Sequence, residues 1–162
     1  MRTKYIGVDL GGTTTKFAIL DDDHCIMEKW DIKTDTSDHG SKILPSMLLS
    51  IESYLKKNKV NIEDLSGIGI GSPGIVDSYN GTVHGAYNLN WREKTNVKYY
   101  FKKNLDLRVE IDNDANVATL GEQMKGSGNK QSNLVFITLG TGVGGGLIIN
   151  GNLVRGNNYS AG

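Results

Sequence analysis

Cysteine is nearly absent from the chain. Cys25 is the only one in 162 residues, which excludes an intrachain disulfide and any multi-cysteine zinc site. There is no excess of either charge: Lys+Arg and Asp+Glu number 18 each. A clustered basic excess would be needed for general attraction to nucleic acid or an anionic membrane, so neither is expected as a partner. Long apolar runs are missing too. None approaches the roughly 20 residues that span a bilayer, and the amino terminus opens into a strand pattern instead of a signal peptide, so a cytoplasmic protein is expected. Proline is scarce, at two residues, whereas glycine is plentiful at 21, about twice the usual share. The glycines cluster, which marks places where backbone must come close to something.

Along the chain, Lys4 to Asp9, Thr14 to Leu20 and Cys25 to Lys33 read as three strands of an antiparallel meander. The link Asp9-Leu10-Gly11-Gly12-Thr13-Thr14 fits an ordinary Gly-Gly hairpin. It fits equally a phosphate-holding turn with backbone N–H and hydroxyl donors, in which Asp9 holds hydrated Mg²⁺. Lys16 has no glycine before it and no helix after it, so this is not a Walker loop. Apolar residues Ile43, Leu44, Met47, Leu48, Ile51 and Leu55 predict an amphipathic helix from about 41 to 58, with Pro45 in its first turn. Its methionines read as core filling.

Gly67-Ile68-Gly69-Ile70-Gly71 is a strand lacking every second side chain, which suggests tight packing or ligand approach. Ser72-Pro73-Gly74 ends it, and Ile75-Val76-Asp77 with Thr82 to His84 forms a hairpin. Tyr87-Asn88-Leu89-Asn90-Trp91 fits either a loop around a buried Trp or an amide-and-aromatic contact for a carbohydrate. Thr95 or Asn96 can cap a helix presenting Val97, Tyr100, Phe101 and Leu105, and Leu107 to Ile111 is the next strand.

That strand leads to Asp112-Asn113-Asp114-Ala115-Asn116. Val117, Leu120, Gly121 and Met124 recur at helical spacing beyond it, so Asn113 or Asp112 caps a helix and Asp114 sits in the first turn. Free N–H groups there stabilise an ionised carboxylate by roughly 0.3–1 kcal/mol. A capping device and a reactive carboxylate both fit these residues. After a loop at 126–129, strands Leu134 to Leu139 and Leu147 to Asn150 flank a glycine loop, Gly140 to Gly146. Gly140, Gly142 and Gly145 satisfy G-x-G-x-x-G, but a strand follows where a dinucleotide site needs a helix. A phosphate-accommodating hairpin explains the glycines better.

Taken together, the motifs Asp9 to Thr14, Gly71-Ser-Pro-Gly-Ile-Val-Asp77, Asn88-Leu-Asn-Trp91, Asp112 to Asn116 and Thr138 to Gly146 resemble, in order, the amino-terminal half of the bacterial ROK sugar kinases. The likeness is greatest to ROK glucokinases. The resemblance implies an α/β, actin-like (ribonuclease H-like) amino-terminal lobe over 1–128, a mixed sheet with flanking helices, followed over 129–162 by the first β-hairpin of a second lobe. It implies ATP- and Mg²⁺-dependent phosphorylation of a hexose, with glucose and its 6-hydroxyl the first expectation. Asp114 would be the catalytic base. Gly74, Asn88, Asn113 and Asp114 would contact sugar; Asp9, Gly11, Gly12 and Thr13, with Gly140, Thr141 and Gly142, would hold phosphate and Mg²⁺.

In relatives resembling this chain, Glu-x-Gly-His, a cysteine-rich zinc cluster and an adenosine-binding lobe follow the position of Gly162. Zinc is therefore expected only outside these residues, and a homodimer only for a full-length protein. The 162 residues by themselves are expected to be inactive. The last hairpin is expected to be poorly ordered, refolded onto the first lobe or paired with a neighbour, because unpaired edges invite partners. Competing readings are a kinase for another hexose or N-acetylhexosamine, a ROK-type sugar-sensing transcriptional regulator lacking its DNA-binding segment, and an actin-like assembly or chaperone ATPase.

Overall fold

The computed structural model describes residues 4–140 and 142–161. Its main sheet takes β1 (Lys4–Leu10), β2 (Thr14–Leu20) and β3 (Ile26–Lys33) as the expected antiparallel meander, then adds β4 (Leu65–Ser72) and β8 (Val109–Asn113) in parallel with β1. The strand order is β3-β2-β1-β4-β8. Parallel strands need crossovers. Here α1 (Ile43–Lys57) lies in the connection to β4, and α2 (Val97–Leu105) precedes β8.

Alternation along the strands decides what each face receives. Ile6, Val8 and Leu10 of β1, Phe17 and Ile19 of β2, Ile68 and Ile70 of β4, and Val109 and Ile111 of β8 join one buried core with Met47, Ile51 and Leu55 of α1 and Val97, Phe101 and Leu105 of α2. The Asn96 side chain accepts from the Tyr99 amide and caps α2. Between β4 and β8 the chain makes a small second sheet of β5 (Ile75–Asp77), β6 (Thr82–His84) and β7 (Thr95–Asn96); β7 was not read from the sequence. Trp91 is buried, with its Nε1 donating to Gly40 O at 3.1 Å. The loop around it is therefore built on a core tryptophan.

The opposite face of the main sheet is the glycine face. Gly7 pairs with Gly69, and Asp9 with Gly71. A Cβ on Gly67 would meet Arg108 O at 2.8 Å, which is the tight packing expected, but one on Gly69 would meet nothing within 4 Å. α3 (Asp114–Lys125) covers only the Gly71 end, and an apolar trough of about 860 Å³ bordered by Tyr5, Leu20, Gly69 and Leu120 stays open beside it.

One expectation, the long glycine loop, needs correction, and the packing of α3 explains it. The buried face of α3 is Ala115, Asn116 and Thr119, whereas Val117 and Met124 are exposed. The helix is pressed against a backbone too close for large side chains. A Cβ on Gly146 would run into Thr119 Oγ1, and one on Gly144 would meet Ala115 Cβ at 3.5 Å. For the same reason Gly144 to Gly146 belong to no loop. They lie in strand β10 (Val143–Ile149), which pairs with β9 (Leu134–Leu139) and with β11 (Asn152–Val154), a strand the sequence did not announce. The turn between β9 and β10 is reduced to residues 140–142, of which Thr141 lies outside the described residues. This three-stranded sheet packs one face on α3.

Candidate active site

Because β1, β4 and β8 are parallel, their carboxyl ends emerge at one edge, where open α/β sheets place their ligands. Three motifs meet there: the turn after Leu10, the Ser72-Pro73-Gly74 turn and the β8–α3 junction. Asp9 pairs with Gly71 and Gly71 with Asp112, so the three lie in one row across the sheet.

Asp114 opens α3 and is exposed, with its Cα 3.5 Å from the Cβ position of Gly71. Its Oδ1 accepts from the Ala115 amide at 2.8 Å. The capping work falls to Asn113, whose Oδ1 accepts from Ala115 N at 2.9 Å and Asn116 N at 3.3 Å. Asp114 therefore keeps a carboxylate oxygen free of the cap. Asn113 Nδ2 donates to Gly74 O at 3.2 Å, tying the second motif to the third. One N–H is all that Asn113 still has to offer a ligand. Gly74 has φ +90°, and a Cβ there would meet His84 O at 2.8 Å, so the turn depends on glycine.

Gly74 and Asn113 line a hollow of about 160 Å³ together with Asn116, Tyr159, Ser160 and Ala161. It is comparable with the roughly 150 Å³ that accommodates a benzene ring. Its far wall comes from the segment after β11. There the Tyr159 hydroxyl lies against Asp77, whose carboxyl is held below its ordinary range chiefly by hydrogen bonds from Asn80 and further by Tyr159. Among the described residues the trough on the glycine face is larger, but it borders none of Gly74, Asn113 and Asp114.

In the first glycine turn, Gly11 N donates to Thr14 O at 3.2 Å, and Thr34 braces the turn from outside, its N–H on Thr13 O at 2.9 Å and its Oγ1 on Gly11 O at 2.8 Å. No backbone carbonyl among the described residues takes up the N–H of Gly12 or Thr13. These donors suit a phosphate oxygen. The Asp9 carboxylate is exposed, with Lys16 Nζ at 3.9 Å, and is free to meet a hydrated cation. A Cβ on Gly12 would meet Asn88 O at 2.7 Å. Asn88 thus sits against this turn and does not line the 160 Å³ hollow. Gly140 and Gly142 have open space at their Cβ positions. β10 runs alongside α3 from Gly144 at Ala115 to Gly146 at Thr119, so this turn projects beyond the helix end that carries Asp114.

Arg155, Asn116 and Tyr159 have no role in the sequence reading. Arg155 and Tyr159 act through partners far away in the chain, and Asn116 acts through Asp112, whose burial only the fold decides.

A family model described as ROK family matches residues 5–162. A glucokinase of Halalkalibacterium halodurans is 42% identical over 158 residues, 98% of this chain and 48% of the relative. A xylose repressor of Caldicellulosiruptor bescii is 38% identical over 115 residues, 71% of this chain and 29% of the relative. Among solved structures, a ROK family glucokinase from Streptomyces griseus in complex with glucose and AMPPNP superposes with a TM-score of 0.83 at 33% identity, covering 98% of this chain and 48% of that one. The chain spans about half the length of these glucokinases. Over that span the architecture is that of the actin-like ATPase fold, and the chain belongs to the ROK family.

Proposed function

We propose that these residues form the sugar side of the active site of an ATP-dependent hexose kinase, with glucose and its 6-hydroxyl the first acceptor to test. The observation that carries this reading is the meeting of Asp114, the Gly74 turn and the Gly12–Thr13 donors at one sheet edge. In the transfer, Asp114 accepts the proton of the sugar hydroxyl as its oxygen bonds to the terminal phosphorus of ATP, and the bond to the departing ADP breaks. Asn113 contributes its remaining N–H to the sugar, and Gly74 allows close approach of backbone. Gly12, Thr13, Gly140 and Gly142 serve the phosphates. Asp9 would hold Mg²⁺ through water, and the ion would supply charge neutralisation on the phosphates. Thr141 stays in the proposal beside Gly140 and Gly142, and Asn88 stays in it as a weaker sugar contact. A cytoplasmic homodimer belongs to the same proposal.

The test is ADP release by the complete gene product with glucose, N-acetylmannosamine and a β-glucoside. Asp114→Asn should lower kcat by about 10²–10⁴ while the melting temperature holds. Turnover that survives in Asp114→Asn would reject the assignment. Sugar-dependent thermal stabilisation without ADP release would instead favour sugar sensing, the reading consistent with the repressor relative.

A further inference from the structure

Arg155 follows β11, yet its guanidinium reaches the end of β8. Nε and Nη2 each lie 2.7 Å from Asp112 Oδ2. The other oxygen, Oδ1, accepts from Asn113 N at 2.8 Å and Asn116 Nδ2 at 3.0 Å. Asp112 is only 7% exposed, and a carboxylate so enclosed has to be paired and hydrogen-bonded. Four contacts do this, two of them from Arg155. The contrast is the Asp9–Lys16 pair at 3.9 Å with both side chains in solvent, a kind of contact that contributes little.

Asn113 and Asp114 follow Asp112 directly, so the group that holds Asp112 also holds the start of α3. Asn116, 5% exposed, is oriented by the same carboxylate, and its Oδ1 has no partner among the described residues. That residue borders the 160 Å³ hollow. The segment that begins at Arg155 is closed by Ala161 N donating to Arg155 O at 3.1 Å and carries Tyr159 to Asp77.

We propose that Arg155 is a positioning residue for phosphoryl transfer: its contact with Asp112 locks the β8–α3 turn that presents Asn113 and Asp114, and does so from the sheet that carries the second glycine turn. The inference rests on the sugar-kinase reading above. Its basis is that misplacing a reacting group by about 1 Å can cost about 10² in rate.

The complete gene product is compared as wild type, Arg155→Met, Arg155→Lys and Asp112→Asn. Arg155→Met should lower kcat by about 10² with KM for sugar and ATP near wild type. Arg155→Lys, which restores charge without the planar pair of donors, should recover part of the loss. The Arg155→Met, Asp112→Asn double variant should be no worse than either single variant, because both remove one contact. In the 162-residue chain, amide exchange at Ala115 and Asn116 should accelerate roughly tenfold or more in Arg155→Met while β1 and β2 amides hold. Unchanged kcat, or a loss matched by the unfolded fraction with unchanged exchange, overturns the proposal. If the wild type transfers no phosphate to any sugar, the kinase reading fails, and exchange at Ala115 and Asn116 alone decides whether Arg155 locks the turn.

Discussion

The five-stranded sheet and the β9–β11 sheet are built from similar β-branched and aliphatic strands and meet opposite fates. In the five-stranded sheet, Ile6, Val8, Phe17, Ile70 and Ile111 are buried under α1 and α2. In the β9–β11 sheet, Val135, Ile137, Leu139 and Val143 are 67%, 65%, 79% and 80% exposed, because α3 covers only the other face. Strand propensity reflects fit to a pleated, half-buried surface. Burial itself is decided by whether a second layer is present.

Equal cuts into both sheets should have very unequal costs. Phe101→Ala, in the layer over the first sheet, should cost about 3–5 kcal/mol in a denaturant titration. Gly146→Ala comes next, at about 1–3 kcal/mol, because the new methyl group meets Thr119 across the α3–β10 contact. Its signature should be faster amide exchange in β9–β11 with β1 and β2 unchanged. Ile137→Thr, on the open face, should stay within about 0.5 kcal/mol. A large loss there would mean that the apolar face is covered in solution.

The effect that vanishes at neutral pH, a slope of stability against pH, lies at the outer edge of the first sheet, where Trp30 stacks between Phe17 and Tyr54 at 5.1 and 3.9 Å. Burial, and then the hydrogen bond to Glu28, push the Tyr54 hydroxyl up to about 12. The fold therefore favours the protonated phenol. Its contribution is complete below the ordinary value near 10 and is lost as pH rises through about 12. Tyr54→Phe should flatten the decline of stability between those two pH values.

Much of the local geometry of the candidate site was legible because its residues are contiguous. Asn113 as cap, Asp114 in the first turn and the Asp9-to-Thr14 turn each depend on neighbours within four positions, and local rules reach that far. The buried side of α3 is not legible in hydrophobic periodicity, which assumes that apolar side chains mark the contact. Here the contact is made by Ala115, Thr119 and the missing side chains of Gly144 and Gly146. The glycine loop was drawn too long for the same reason, since glycines that let a helix approach look like glycines that make a turn.

Most strands, the three α-helices and the family are written in local pattern and ordered motifs, and these the chain reveals without its fold; the short strands β7 and β11 and the true length of the β9–β10 turn are not. Tertiary structure alone decided that Asn88 belongs to the first glycine turn, that Asn113 has one donor left, and that Arg155 reaches Asp112 across 43 positions. Such contacts depend on which strands lie side by side and on how closely a helix approaches them, and no periodicity in the chain encodes that distance.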